Sequence, residues 1–114
     1  MQYLALIHAD ENGWEELGDD ERQAIQQRYM EFSENEKVAG GAELESTGTA
    51  TTVRMQNGDR LVTDGPYAEV KEALGGFFIL ECDSIDEACQ LAAQIPAAEH
   101  GAIEVRPVYV REES

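Results

Sequence analysis

The chain has 114 residues, and its 24 Asp and Glu against 8 Lys and Arg give a formal net charge of −16. That is the length of one domain, spanning 1–114, and long enough to bury about two-thirds of its unfolded surface without staples. Nucleic acid and anionic membrane surfaces are excluded as direct partners, because the eight basic residues are scattered singly and counterion release needs them clustered.

Nothing in the chain approaches the ~18 consecutive apolar residues of a membrane span. The start, Met1 to His8, lacks the basic region of a signal peptide, so a cytoplasmic location is expected. The acidic field favours cationic partners, although its plainer reading is solubility. Cys82 and Cys89 show no CxxC spacing and have no nearby His, so they read as small buried hydrophobes rather than metal ligands. No metal and no cofactor are expected.

Residues 2–8 form a short apolar run that reads as a first strand buried on both faces. Residues 9–18, rich in Asp, Glu, Asn and Gly, read as a loop in which Trp14 packs. From Asp19 to Ala39 the period becomes helical: Ile25, Tyr29 and Phe32 make an apolar stripe, and Asp19, Asp20 and Glu21 suit the positive end of the dipole. Gly40-Gly41 then reads as the helix stop.

Residues 42–56 are extended, broken near Gly48. Asn57-Gly58 predicts a two-residue type I′ hairpin, since that turn needs positive φ at both central positions. Such a turn pairs Gln56 with Asp59, Met55 with Arg60, Val53 with Val62 and Thr51 with Asp64. Val53, Met55 and Val62 then share one face.

After Asp64-Gly65-Pro66 and Gly75-Gly76, the next strand is read from Phe77 to Cys82. Its Phe77 and Ile79 point one way, and Phe78, Leu80 and Cys82 the other. Ser84 to Glu87 is a capping box, and Ile85, Ala88, Cys89, Ala92 and Ile95 mark one helical face, which places Cys89 in the core. Pro96 ends that helix, and the last strand runs from about Ala102 to Val110.

This order predicts an α+β chain: a ferredoxin-like βαββαβ plan with an extra β-hairpin, both helices covering one sheet face. The strands are apolar on both sides, so the other sheet face demands a cover. A homodimer with two sheets face to face is the economical one.

Dinucleotide, phosphate-loop, nucleophile-elbow and zinc-protease signatures are all absent. What remains is a polar set at strand ends: Asp64 and Tyr67, then Lys71 and Glu72, and downstream His100, Glu104 and Arg106. Glu104 and Arg106 fall on one face of the last strand, so they either pair or line a wet cavity, since a buried unpaired charge is too costly. An ion pair of Arg106 with Glu104 or Asp64 is the structural alternative to a binding role. His100, in a loop beside Gly101, is the favoured imidazole for proton chemistry, with Asp64 as its carboxylate. His8, ending an apolar strand, is the second candidate imidazole, with a hydrogen-bonded core residue as its alternative reading.

The stretch Val62-Thr63-Asp64-Gly65-Pro66-Tyr67-Ala68-Glu69-Val70-Lys71-Glu72, followed by Leu74-Gly75-Gly76-Phe77-Phe78, resembles the signature of the DGPF domain family within the YCII-related superfamily. Ile95-Pro96-Ala97-Ala98, His100-Gly101 and Ile103 to Val108 resemble its C-terminal pattern, with Tyr67 standing where that family has Phe. The resemblance implies a dimeric α+β barrel, and small enzymes or small-molecule binders with a His–Asp pair in a cleft. It carries Asp64, Lys71 and Glu72 over from the first motif, and Glu104 and Arg106 from the second. Relatives encoded beside, or fused to, extracytoplasmic-function sigma factors make a regulatory, sigma-factor-binding role the second reading.

Overall fold

The computed structural model describes residues 1–112. Strand β1 (Gln2–Ala9) leads through a short helix α1 (Glu11–Glu15) into α2 (Asp19–Ser33) and β2 (Val38–Glu43). A hairpin of β3 (Thr51–Gln56) and β4 (Asp59–Asp64) follows, then β5 (Ala73–Glu81), α3 (Ile85–Ala92), a 3₁₀ turn (Pro96–Glu99) and β6 (Ala102–Pro107). The sheet is antiparallel with order β2-β5-β1-β6, and β3 and β4 pair only with each other. This is the ferredoxin-like order, with the hairpin inserted between the second and third sheet strands.

Alternation along the strands sorts the two faces. Tyr3, Ala5, Phe78 and Leu80 enter the core with Phe32, Ala88, Leu91, Ala92 and Ile95 from the helical layer. Phe78 anchors α2, with Phe32 edge-on at 4.8 Å between ring centroids and Tyr29 stacked at 6.4 Å. Leu4, Leu6, Phe77 and Ile79 project to the opposite face, where they are only half-buried.

Several boundaries differ from the sequence reading. The helix from Asp19 ends at Ser33, not Ala39. The Asn35 side chain accepts from the Lys37 N–H at 2.9 Å, and the Asn35 carbonyl accepts from Val38 N–H, a local turn that competes with helix continuation. Gly40 and Gly41 lie in β2, against β5. A Cβ on Gly41 would stand 2.4 Å from the Phe77 carbonyl oxygen, and one on Gly76 would stand 2.7 Å from that of Ala42. These glycines answer to the close approach of two strands, and β5 correspondingly starts at Ala73 rather than Phe77.

Residues 11–15, read as loop, form α1, because Asp10 caps it by accepting from the Asn12 N–H at 3.0 Å. Arg22 fastens α1 to α2, donating to the carbonyls of Trp14 and Glu15 with its guanidinium 5.9 Å from the Trp14 ring centroid. Cys89 is exposed, contrary to expectation: α3 buries Ala88, Leu91 and Ala92, a stripe rotated away from it. Regular pairing of β6 stops at Pro107, short of Val110. The hairpin register and the Ser84 cap, which accepts from the Glu87 N–H at 3.1 Å, match the sequence reading.

Two ion pairs, one exposed and one part-buried, tie the helical layer together. Arg28 makes a bidentate pair with Glu99, at 2.9 and 2.8 Å, joining α2 to the 3₁₀ turn. Lys37 pairs with Glu87 of α3. Each carboxyl is held below the ordinary carboxylate range, chiefly by the hydrogen bond from its cationic partner. Groups depressed in this way contribute stability above their unfolded pKa and lose it as pH falls through the folded one. Thermal melts of Arg28→Met against the parent chain should therefore differ modestly at pH 7 and converge in acid, below the ordinary range for Glu. A gap that stays constant down to that range would contradict the pairing.

Candidate functional site

The expected site residues occupy separate places. Asp64 ends β4 at the hairpin root, exposed, opposite Thr51. Gly65 follows with φ of 107°, and its N–H donates to the Ala50 carbonyl at 2.7 Å, while Thr52 Oγ1 donates to the Gly65 carbonyl at 2.8 Å. These bonds shape the Asp64-Gly65-Pro66 corner and leave the Asp64 carboxylate outward. Tyr67 is exposed, with the Arg54 guanidinium 5.1 Å from its ring centroid. His100 is exposed after the 3₁₀ turn. Among the described residues no hydrogen bond or ion pair joins Asp64 to His100.

Lys71 lines a polar cleft of about 300 Å³ whose other walls include Asp10, Glu11, Asn12 and Thr47. Glu11 is held there by Thr47, through the backbone N–H at 2.7 Å and Oγ1 at 3.0 Å. Glu72 is exposed beside it in sequence. A second groove, about 170 Å³ and apolar, runs between α3 and β6 along Cys89, Ala92, Ala98 and Val105. Neither cleft is lined by Asp64, His100 or Arg106.

The uncovered sheet face holds a pair that the sequence reading did not join. In the β1–β6 ladder Leu6 lies opposite Glu104, and His8 opposite Ala102. His8 and Glu104 are therefore diagonal neighbours on one face, and His8 Nε2 lies 3.2 Å from Glu104 Oε1. Both side chains keep solvent access, 31% for His8 and 51% for Glu104. Arg106 stands on the same face, opposite Leu4, and forms no ion pair with Glu104 or Asp64. Leu4, Leu6, Phe77 and Ile79 floor this face next to the pair.

The arrangement combines an imidazole and a carboxylate in hydrogen-bond reach, an arginine on the same sheet face, and an apolar floor. Such a set can move a proton at a bound molecule and compensate a negative charge. Among the described residues no group of three His, Cys, Asp or Glu side chains is placed to hold a metal ion, and no helix is long and apolar enough to cross a membrane.

These features define a ferredoxin-like α+β protein with an inserted β-hairpin. The chain belongs to the YCII-related domain family, whose sequence profile matches residues 1–112. An uncharacterised protein of Rhizobium meliloti (strain 1021) is 37% identical over 117 aligned positions, covering 95% of this chain and 92% of that one. Among solved structures, the 5-chloro-2-hydroxyhydroquinone dehydrochlorinase of Burkholderia phenoliruptrix AC1100, in complex with 2,5-dihydroxybenzoquinone, aligns with a TM-score of 0.56 at 17% identity. That alignment covers 96% of this chain and 94% of the dehydrochlorinase, and it shows a shared fold.

Proposed function

We propose that the chain is one half of a homodimeric, cofactor-free enzyme that moves a proton on a small, flat, oxygenated molecule held against the open sheet face. The observation that carries this reading is the His8–Glu104 pair, 3.2 Å apart beside an apolar floor. In this reading His8 takes the imidazole role expected of His100, because it is the histidine that has a carboxylate partner. Glu104 orients the ring, and Arg106 meets the oxyanion that forms as the proton leaves.

The homodimer follows from solvation. Leu4, Leu6, Phe77 and Ile79 form a contiguous apolar surface that the described residues leave without a covering layer, and such surfaces mark interfaces or ligand sites. Two copies packed sheet to sheet dry the floor and place one His–Glu pair from each subunit in the space between. The fold shared with a dehydrochlorinase that was solved with a dihydroxyquinone supports a hydroxylated ring as the first compound to try. A regulatory role beside a sigma factor rests on the family resemblance alone.

The test is a titration of the isotope-labelled full chain with 2,5-dihydroxybenzoquinone and simple hydroxylated benzoates, followed by amide and imidazole NMR shifts. Saturable shifts concentrated at Leu4, Leu6, His8, Phe77, Ile79 and Glu104 are expected. Shifts confined to the cleft around Lys71, or none for any compound, would overturn the reading.

A further inference from the structure

Among the described residues the β3–β4 hairpin makes hydrogen bonds only within itself and to the Gly65 corner at its root, and Arg54 lies over the Tyr67 ring just beyond that corner. Residues 51–64 are all exposed except Thr52, which is half-buried by the Gly65 corner. The turn is well built, with φ of 51° at Asn57 and 84° at Gly58, and the register is unbroken from Thr51↔Asp64 to Gln56↔Asp59. Yet an isolated two-stranded ribbon is at best marginal in water, because it has no third layer on which to bury side chains. This ribbon does carry side chains to bury. Val53, Met55 and Val62 lie on one face, exposed by 58%, 67% and 57%.

We propose that the β3–β4 ribbon is a dimerisation arm, and that its Val53–Met55–Val62 face packs on a second copy of this chain. The inference rests on the homodimeric reading above and says what completes that dimer. Charge argues for the occupant. Arg54 and Arg60 are the ribbon's bases and Asp59 and Asp64 its acids, so it is neutral while the whole chain carries −16. Arg60 shares the apolar face, opposite Met55, where the acid-rich surface of another copy suits it.

Size argues the same way. The four sheet strands, of six, nine, eight and six residues across the sheet, cover roughly 450 Å² in projection, short of the ~800 Å² per partner that a standard-size interface buries. The sheet face alone is too small, and an arm of six-residue strands reaches about 20 Å further. The chain is correspondingly flat, 50 × 46 × 18 Å with a radius of gyration of 16.4 Å, against about 13 Å for a compact chain of this length. One copy thus offers both an arm and an uncovered face, as a two-fold symmetric interface requires. Asp64, on the arm's apolar face, is carried into that interface, so the Asp-Gly-Pro corner sets the arm's direction.

Sedimentation of the full chain against a Val53→Thr, Val62→Thr double variant, which keeps β-branched residues at the directly paired positions, tests the arm. The parent should sediment at about twice its 12.6 kDa subunit mass. The variant should dissociate at least tenfold more readily while keeping its far-UV spectrum, since neither residue touches the core. Methyl-labelled methionine gives a second readout independent of mutation. In the dimer, Met55 should be shielded from a soluble paramagnetic agent, while Met30, exposed on α2, stays accessible. A dimeric parent whose Met55 remains fully accessible, or a well-folded variant with unchanged dissociation, overturns the arm and leaves the sheet-to-sheet dimer standing. A monomeric parent at micromolar concentration overturns both.

Discussion

Leu80→Ala is expected to lower the stability of the chain by about 2–5 kcal/mol in urea unfolding, the range for emptying a well-packed large-residue site. Leu80 is fully inaccessible and stands on β5 between Tyr3 of β1 and Val38 of β2. Of the buried apolar residues, Ala5, Ala73, Ala88, Ala92 and Ala97 are alanines, so Tyr3, Phe32, Leu80, Leu91 and Ile95 supply most of the core volume. The backbone around Leu80 has little freedom to collapse into the void, because β2 and β5 already touch at Gly41 and Gly76. Against a typical total of about 5–15 kcal/mol, the loss is a large fraction. Met30→Ala, at an exposed position, is the control and should shift stability by no more than about 0.5 kcal/mol. Both are compared at one protein concentration, since self-association adds a mass-action term. A Leu80→Ala cost below about 1 kcal/mol would mean that the core is not packed as described.

The same short-range chemistry decides which features could be read from sequence. The hairpin register was legible to the residue, because a two-residue turn at Asn57-Gly58 fixes every pair up to Thr51↔Asp64 without help from the rest of the fold. Strand faces were legible too, since alternation puts Phe78 and Leu80 on one side and Phe77 and Ile79 on the other wherever the strand lies. The end of α2 was not. Asn35 and Gly40-Gly41 are both good stop signals, and what distinguishes them is that Gly41 must admit the Phe77 carbonyl, a contact between segments far apart in the chain. Cys89 failed for a related reason. A helical wheel cannot locate the edge of its buried face to better than one residue, and Leu91 rather than Ile85 fills the core.

The candidate site divides along this line. Glu104 and Arg106 were placed on a shared face by alternation alone, whereas His8, read alternatively as a core residue, stands on the open face with 31% of its side chain accessible. Joining His8 to Glu104 needs the register of two strands that no turn connects, which is settled by α2, α3 and the sheet closing around one core. The ferredoxin-like plan puts the first and last strands side by side, so the signal existed, but one residue of slip would have aimed Glu104 into the core. Grouping Asp64, Lys71 and His100 in one cleft relied on their closeness to motifs, and the hairpin carries Asp64 outward while Lys71 faces Asp10 and Glu11.

If His8 and Glu104 act as one catalytic unit, their substitutions should not add. With a compound that the open-face titration shows to be turned over, His8→Gln should lower kcat/KM by about 10²–10⁴-fold, the usual worth of a positioned acid–base group. Glu104→Gln keeps a hydrogen-bond acceptor near His8 Nε2 but removes the negative charge beside the ring, so a loss within the same range is expected. The double variant should be no worse than His8→Gln, because orienting a base that is absent gains nothing. The competing reading is that the pair merely pins β6 to β1. Exposed pairs of this kind contribute little to stability, and with His8 and Glu104 both solvent-accessible, either substitution should leave the melting temperature almost unchanged. Additive losses in kcat/KM, or losses matched by a fall in melting temperature, would assign the pair to structure. A large non-additive loss with the fold intact would assign it to the reaction.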